Sequence, residues 1–289
     1  MVPFVEHFDH FVVPVDDLVA AESFYAEVFG GRIALNASGR PMRFGLNVAQ
    51  RNGGQVPHTF FDIGGRRIGV YLQEQERSKR GSVYGIPTYA FAATERGLSH
   101  VLSVLKRRAA EYVAAENDSP NALSSIYFND PAGNSFHVFV PKTRSDASKN
   151  GGDEGDLAVS DLRIEAPDLD RSVRFYAEIL GLDVSAHGKD KHSGAAEAVL
   201  RLPSGQSLYL TQVPFSPKGI GLSRTKPGPH LAFYVEPERW DSLVKHLAAK
   251  GIANGDRSTA FKGRTAADRD TYLDEPSGHV IQLVSAAAT

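Results

Sequence analysis

The sequence predicts an α+β fold of four βαβββ units, arranged as two tandem domains over residues 1–145 and 157–289, with a linker at 146–156. Three observations predict it. First, Asp17-Leu18, Phe24-Tyr25-Ala26-Glu27 and Gly30 recur at one constant offset as Asp168-Leu169, Phe175-Tyr176-Ala177-Glu178 and Gly181. Second, Tyr127-Phe128-Asn129-Asp130-Pro131-Ala132-Gly133 is echoed in the same order by Tyr272-Leu273-Asp274-Glu275-Pro276-Ser277-Gly278. Third, residues 142–156 between the repeats are rich in Ser, Asn, Gly, Asp and Lys without apolar periodicity, the composition of a flexible connector.

Taken in order, residues 8–15 form an apolar strand, and Asp16 or Asp17 caps the helix that follows. Leu18, Ala21, Phe24, Tyr25 and Val28 have helical spacing, and Gly30-Gly31 ends the run. Strands follow at 32–37, 58–63 and 67–73, with Gly64-Gly65 as a hairpin turn and residues 42–56 as a long loop. The same order begins again at Thr88, with a helix over 95–112 carrying Leu98, Val101, Leu102 and Leu105. It restarts near Leu157, and once more at His230 with a helix carrying Trp240, Leu243, Val244 and Leu247.

Composition narrows the function. The 289 residues exceed one ordinary core, and 42% hydrophobic with 23% charged residues is the balance of a globular protein. Lys and Arg number 32 against 34 Asp and Glu, so the chain lacks the basic excess of a nucleic-acid surface. Without cysteine there is no disulfide, thiolate nucleophile or iron–sulfur cluster. No stretch approaches the roughly 18 apolar residues of a membrane span, and the N-terminus has no signal-peptide pattern. A cytoplasmic protein is the expectation, and a homo-oligomer is compatible with it.

The Asp-Leu…Phe-Tyr-Ala-Glu…Gly helix of each half, the Tyr-x-x-Asp/Glu-Pro-x-Gly hairpin and the segment His230-Leu231-Ala232-Phe233-Tyr234-Val235 resemble the vicinal oxygen chelate superfamily. That group includes glyoxalase I, bleomycin- and fosfomycin-resistance proteins and type I extradiol dioxygenases. The resemblance implies paired units curled around a cupped cavity. It also implies a divalent metal, Fe(II) or Mn(II), bound at the start of a first strand and near the end of a last strand, where the usual ligand is Glu. In this sequence those positions fall on His10 and Gly69, on Thr88 and His137, on Asp161 and Tyr209, and on His230 and Gln282. None of the four last-strand positions carries Glu.

Three pairings of units are open. Units one and two would gather His10 and His137, with His58 in reach; units three and four would gather His230, Asp161 and Gln282; units one and four would gather His10, His230 and Gln282. Two imidazoles and a carboxylate suit Fe(II) or Mn(II) and leave room for a chelating diol and dioxygen. Tyr127 and Tyr272 stand where an extradiol enzyme's tyrosine bonds a substrate hydroxyl, against the alternative of packed residues. His58 and Asp161 are candidate substrate contacts. The remaining histidines, His7, His100, His187, His192, His246 and His279, read as solvated, as does the basic run Lys106-Arg107-Arg108.

The expected function is a metal-dependent, ring-cleaving dioxygenase of the extradiol type acting on a catechol- or hydroquinone-like aromatic. The alternatives are a metal-free protein binding an aromatic or antibiotic-like ligand, favoured by the missing Glu residues, and a glyoxalase-type lyase or isomerase. No nucleic-acid or membrane partner is expected.

Overall fold

The computed structural model describes residues 2–36, 38–47, 56–73, 82–116, 122–142, 156–214, 230–252 and 269–285. The linker lies almost wholly outside the described residues.

The first unit runs β1 (His7–Val15), α1 (Leu18–Phe29), β2 (Arg32–Ile33), β3 (Arg43–Phe44), β4 (His58–Ile63) and β5 (Arg66–Leu72). The second runs β6 (Thr88–Ala93), α2 (Glu95–Arg107), β7 (Tyr112–Glu116), β8 (Ala122–Asn129) and β9 (Ser135–Pro141). The third comprises β10 (Leu157–Glu165), α3 (Leu169–Ile179), β11 (Asp183–Lys189), β12 (Ala196–Arg201) and β13 (Ser207–Thr211). In the fourth, the described residues hold β14 (Leu231–Tyr234), α4 (Pro237–Ala249), β15 (Arg269–Asp274) and β16 (Val280–Ser285).

The helix starts follow the sequence. The Asp17 carboxylate accepts from the Ala20 N–H at 3.0 Å, Asp168 accepts from Arg171 at 3.0 Å, and Thr94 accepts from Gly97 at 3.0 Å. Each satisfies an N–H that the first helical turn leaves unpaired. Three expectations need correction. The loop expected over 42–56 opens with a short strand, β3, paired with β4. The strand expected over 32–37 shortens to β2, because Leu35 turns back to bridge Pro41. The helix expected over 95–112 stops at Arg107, where Ala109 takes φ 49° and the Ala110 N–H closes on the Leu105 carbonyl. Tyr112 therefore opens a strand rather than ending a helix.

Within each unit the first strand lies parallel to the last: β1 to β5, β6 to β9, β10 to β13 and β14 to β16. The units then join through their first strands, antiparallel, β1 to β14 and β6 to β10. One sheet has the order β15-β16-β14-β1-β5-β4-β2, with β3 also on β4; the other has the order β11-β12-β13-β10-β6-β9-β8-β7. Each sheet thus takes one unit from each half of the sequence: one and four in the first, two and three in the second.

One face of each sheet is turned into a shared core. Phe11 of β1 stacks on Tyr89 of β6 at 4.7 Å, and Phe29 of α1 meets Phe91 of β6 at 5.0 Å. Helix α1 lies against β4 and β5, α2 against β6 and β9, and α3 against β11, β12 and β13. Because side chains alternate along a strand, residues such as His10 and Val12 point away from that core, on what is here called the outer face. No helix among the described residues is long and apolar enough to cross a membrane.

The two sequence echoes touch one another. The Tyr25 hydroxyl of α1 donates to Asp130 in the β8–β9 hairpin at 3.1 Å, and Ser172 of α3 donates to Glu275 in the β15–β16 hairpin at 2.6 Å. In both hairpins the Gly N–H closes on the acid's carbonyl, with φ 83° at Gly133 and 100° at Gly278, conformations that glycine adopts without strain. Since α1 packs on the first sheet and its hairpin belongs to the second, and the reverse holds for α3, each echo is a clasp between sheets.

Candidate functional site

The pairing of units one and four brings His10 and His230 together: their Nε2 atoms are 3.0 Å apart, and both residues are buried. His10 and Gln282 lie in one cross-strand row, each in register with Ala232. Tyr272 is opposite Gln282 on β15, and its ring stands edge-on to His230 at 5.6 Å between centroids. Gln282 is buried and donates through Nε2 to Asp270 at 2.8 Å.

The row continues on the other side of His10. Phe60 meets it edge-on at 5.8 Å. His58 is stacked between Phe44 at 4.7 Å and Tyr71 at 5.8 Å. Val12, Ala34, Met42 and Phe60 form a small apolar cluster of their own on this face, with Phe44 and Tyr71 packed against it. Gly69, at the position of a usual ligand, can carry no side chain without movement. A Cβ there would lie 2.9 Å from Phe60 and 3.0 Å from Val12. The outer face of the first sheet is therefore a pair of facing imidazoles beside an aromatic strip.

Electrostatics set the protonation of this strip. Burial pushes His58 below the usual imidazole value, and its Nδ1 is tied to the Val56 carbonyl at 2.7 Å. A neutral ring with Nδ1–H donating keeps its lone pair on Nε2. Asp9 lies beside His10, with Oδ1 2.5 Å from Nδ1. Burial pushes the Asp9 carboxyl up, but the hydrogen bond and charge of His10, with the charges of His7 and Arg67, outweigh it and hold the group below its usual range. His7 itself is lowered to about 4 by burial and by the charge of Arg66.

The second sheet repeats the lattice with different chemistry. Asp161 and His137 are each in register with Ala90, as His10 and Gln282 are with Ala232. Thr88 and Asp161 stand where His230 and His10 stand in the first, so no imidazole pair forms. Tyr127 is stacked on His137 at 4.2 Å, with Tyr84 and His192 beyond it. Arg163 occupies the middle of this face. It pairs with Glu197 at 2.8 Å and Asp190 at 3.1 Å and lies 5.1 Å over the Tyr209 ring. Burial raises Asp161, and the charge of Asp161 together with burial pushes Tyr209 up to about 12.

Of the residues singled out from sequence, His10, His230, Gln282, Tyr272 and His58 therefore share one face, while Asp161, His137 and Tyr127 share another. Among the described residues no group of three or more His, Asp or Glu side chains is placed to hold a metal ion. His279, expected to be solvated, is buried. Its Nε2 bonds the Glu165 carbonyl at 2.7 Å, and burial lowers its pKa to about 4. Asp9, Phe60, Arg163 and Asp270 belong to these faces but carry no motif that marks them in sequence. Asp9 directly precedes His10 in sequence, where regular strand alternation would turn it to the opposite face.

Comparison with known proteins agrees with this architecture. A 2-epi-5-epi-valiolone epimerase from Actinomyces sp is 29% identical over 152 residues, covering 46% of this chain and 82% of that protein. Among solved structures, a provisionally named dioxygenase from Bacillus subtilis superposes with a TM-score of 0.67 at 14% identity, covering 99% of this chain and 87% of that one. Glyoxalase I from Zea mays does so with a TM-score of 0.60 at 14% identity, covering 97% and 92%. At such identities these likenesses speak for the fold. The Glyoxalase/Bleomycin resistance protein/Dioxygenase superfamily matches residues 7–138 and 159–283, nearly the whole of both halves, and the chain belongs to that superfamily.

Proposed function

We propose that this chain is a metal-dependent enzyme acting on a small aromatic molecule with two neighbouring oxygen substituents, and that the reaction is extradiol-type ring cleavage. The observation that carries the proposal is the 3.0 Å separation of the His10 and His230 Nε2 atoms beside an aromatic strip. Two nitrogens each about 2.1 Å from one metal ion, at a right angle, would stand about 3.0 Å apart, so the imidazole pair fits adjacent ligation. Gln282, in the same row, would add a neutral amide oxygen in place of the customary carboxylate.

When bound, Fe(II) or Mn(II) would supply Lewis acidity for two vicinal oxygens and positions for dioxygen. The chain's own residues do the rest. His10, His230 and Gln282 bring no negative charge, which favours a substrate that binds as an anion. Phe44, Phe60 and Tyr71 offer ring faces and edges to an aromatic substrate. His58, neutral and with its Nε2 lone pair available, can take a proton from a substrate hydroxyl. Tyr272 can orient the second oxygen from the His230 side.

The test is metal analysis of protein purified with Fe(II) or Mn(II) supplied, followed by oxygen uptake with a panel of catechols and hydroquinones. The expected result is stoichiometric metal, lost on His10→Ala or His230→Ala, and oxygen consumption that requires it. A chain that takes up no metal under any loading condition overturns the proposal. A second reading, an isomerase or epimerase reaction that consumes no oxygen, is favoured by the likeness to the epimerase. Product formation under anaerobic conditions would establish it instead.

A further inference from the structure

We infer that Asp9 is a positioning residue that fixes the tautomer and orientation of His10, so that the Nε2 lone pair of His10 faces His230. The inference deepens the proposed metal site and rests on it only for its second readout. In a regular strand, neighbouring side chains point to opposite faces, and Asp9 could not reach His10. Strand β1 is not regular there. Phe8 pairs with Phe233 and His10 with Ala232, so Asp9 is an extra residue without a cross-strand partner on β14. Such a bulge re-aims side chains locally, and here it places Asp9 Oδ1 2.5 Å from His10 Nδ1. A carboxylate at that distance holds the proton on Nδ1 and leaves Nε2 as an acceptor or ligand atom.

The same backbone device occurs in β10. Val159 pairs with Phe91 and Asp161 with Ala90, which makes Ser160 the extra residue. The Ser160 hydroxyl donates to Asp161 at 2.9 Å. In both sheets the bulged residue thus holds the side chain that follows it, on the strand that pairs with the neighbouring unit. The backbone arrangement belongs to the repeated unit, whereas the pairing of carboxylate with imidazole belongs to the first sheet alone. That is the sheet in which a second imidazole faces the ring.

The experiment compares wild type with Asp9→Asn and Asp9→Ala in the full chain. Nitrogen-detected NMR of the metal-free protein reads the His10 tautomer, and thermal melts check that the variants fold. Wild type is expected to hold the Nδ1–H form. Asp9→Asn, which keeps an acceptor but loses its charge, should hold that form in part, and Asp9→Ala should show a tautomer mixture. Co(II) titration followed by its visible absorption should weaken in the same order, by roughly 10- to 100-fold for Asp9→Ala. An unchanged tautomer in Asp9→Ala overturns the inference. If the tautomer shifts as expected but wild type binds no Co(II), the positioning role stands and the metal reading fails.

Discussion

Gln282 tests how far the first-sheet site departs from a carboxylate-bearing one. Its Nε2 donates to Asp270 Oδ2, and that bond turns the amide oxygen the other way. Replacing Gln282 by Glu alone would set two carboxylates side by side, and like charges at such a distance drive one of them to hold a proton. Little metal affinity should therefore be gained. With Asp270→Asn added, the neighbouring amide can donate to the new carboxylate, which is then free to ligate. The double variant should bind Mn(II) or Co(II) at least about tenfold tighter than wild type, since it adds an anionic ligand to a neutral set. Direct titration of wild type and the two variants decides it, and equal affinity in all three would mean that Gln282 does not face the ion.

At the scale of elements, the repeated helix and hairpin motifs look alike in sequence but are not equally satisfied. Tyr25 donates to Asp130, whose carboxylate also accepts from the Asn134 backbone and side chain, each at 2.8 Å. The matching Tyr176 hydroxyl is buried with no hydrogen-bond partner among the described residues, because Ser172 and Ser277 occupy Glu275 instead. Tyr25→Phe should cost about 1 kcal/mol, while Tyr176→Phe should be neutral or stabilising, since it removes a polar atom that is buried unpaired. Chemical denaturation of the two variants checks the contrast. The motifs were legible in sequence because they hold the fold together, so their spacing is fixed by contact. His10, His230 and Gln282 were legible as positions, and as neighbours only in one of three open pairings of units, for the choice depends on which first strands pair across more than 200 residues of chain. Asp9 was illegible, because a one-residue bulge cancels the alternation on which strand reading depends. Arg163 was missed for another reason: nothing in sequence marks Glu197 and Asp190 as its partners.

At the scale of the whole molecule, the sequence repeat and the sheets divide the chain differently. The superfamily matches two segments, residues 7–138 and 159–283, yet β1 pairs with β14 and β6 with β10, so every sheet crosses from one segment to the other. The N-terminal segment adds further ties to the second half. Phe4 donates to the Leu180 carbonyl at 2.9 Å, Phe8 to the Gln206 side chain at 2.9 Å, and Arg239 to the Pro3 carbonyl at 2.7 Å. Either half alone would expose two central strand edges together with the aromatic core between the sheets, and such edges recruit other chains. Each half produced separately should therefore self-associate or aggregate rather than behave as a stable monomer. The two halves produced together should associate and recover a single cooperative melt. Because His10 comes from one half and His230 from the other, Co(II) binding should appear only in the recombined material. Size-exclusion chromatography, circular dichroism and metal titration on the separate and mixed halves would show this. A half that elutes as a cooperatively folded monomer would mean that the strand pairing between units is not what holds the sheets together.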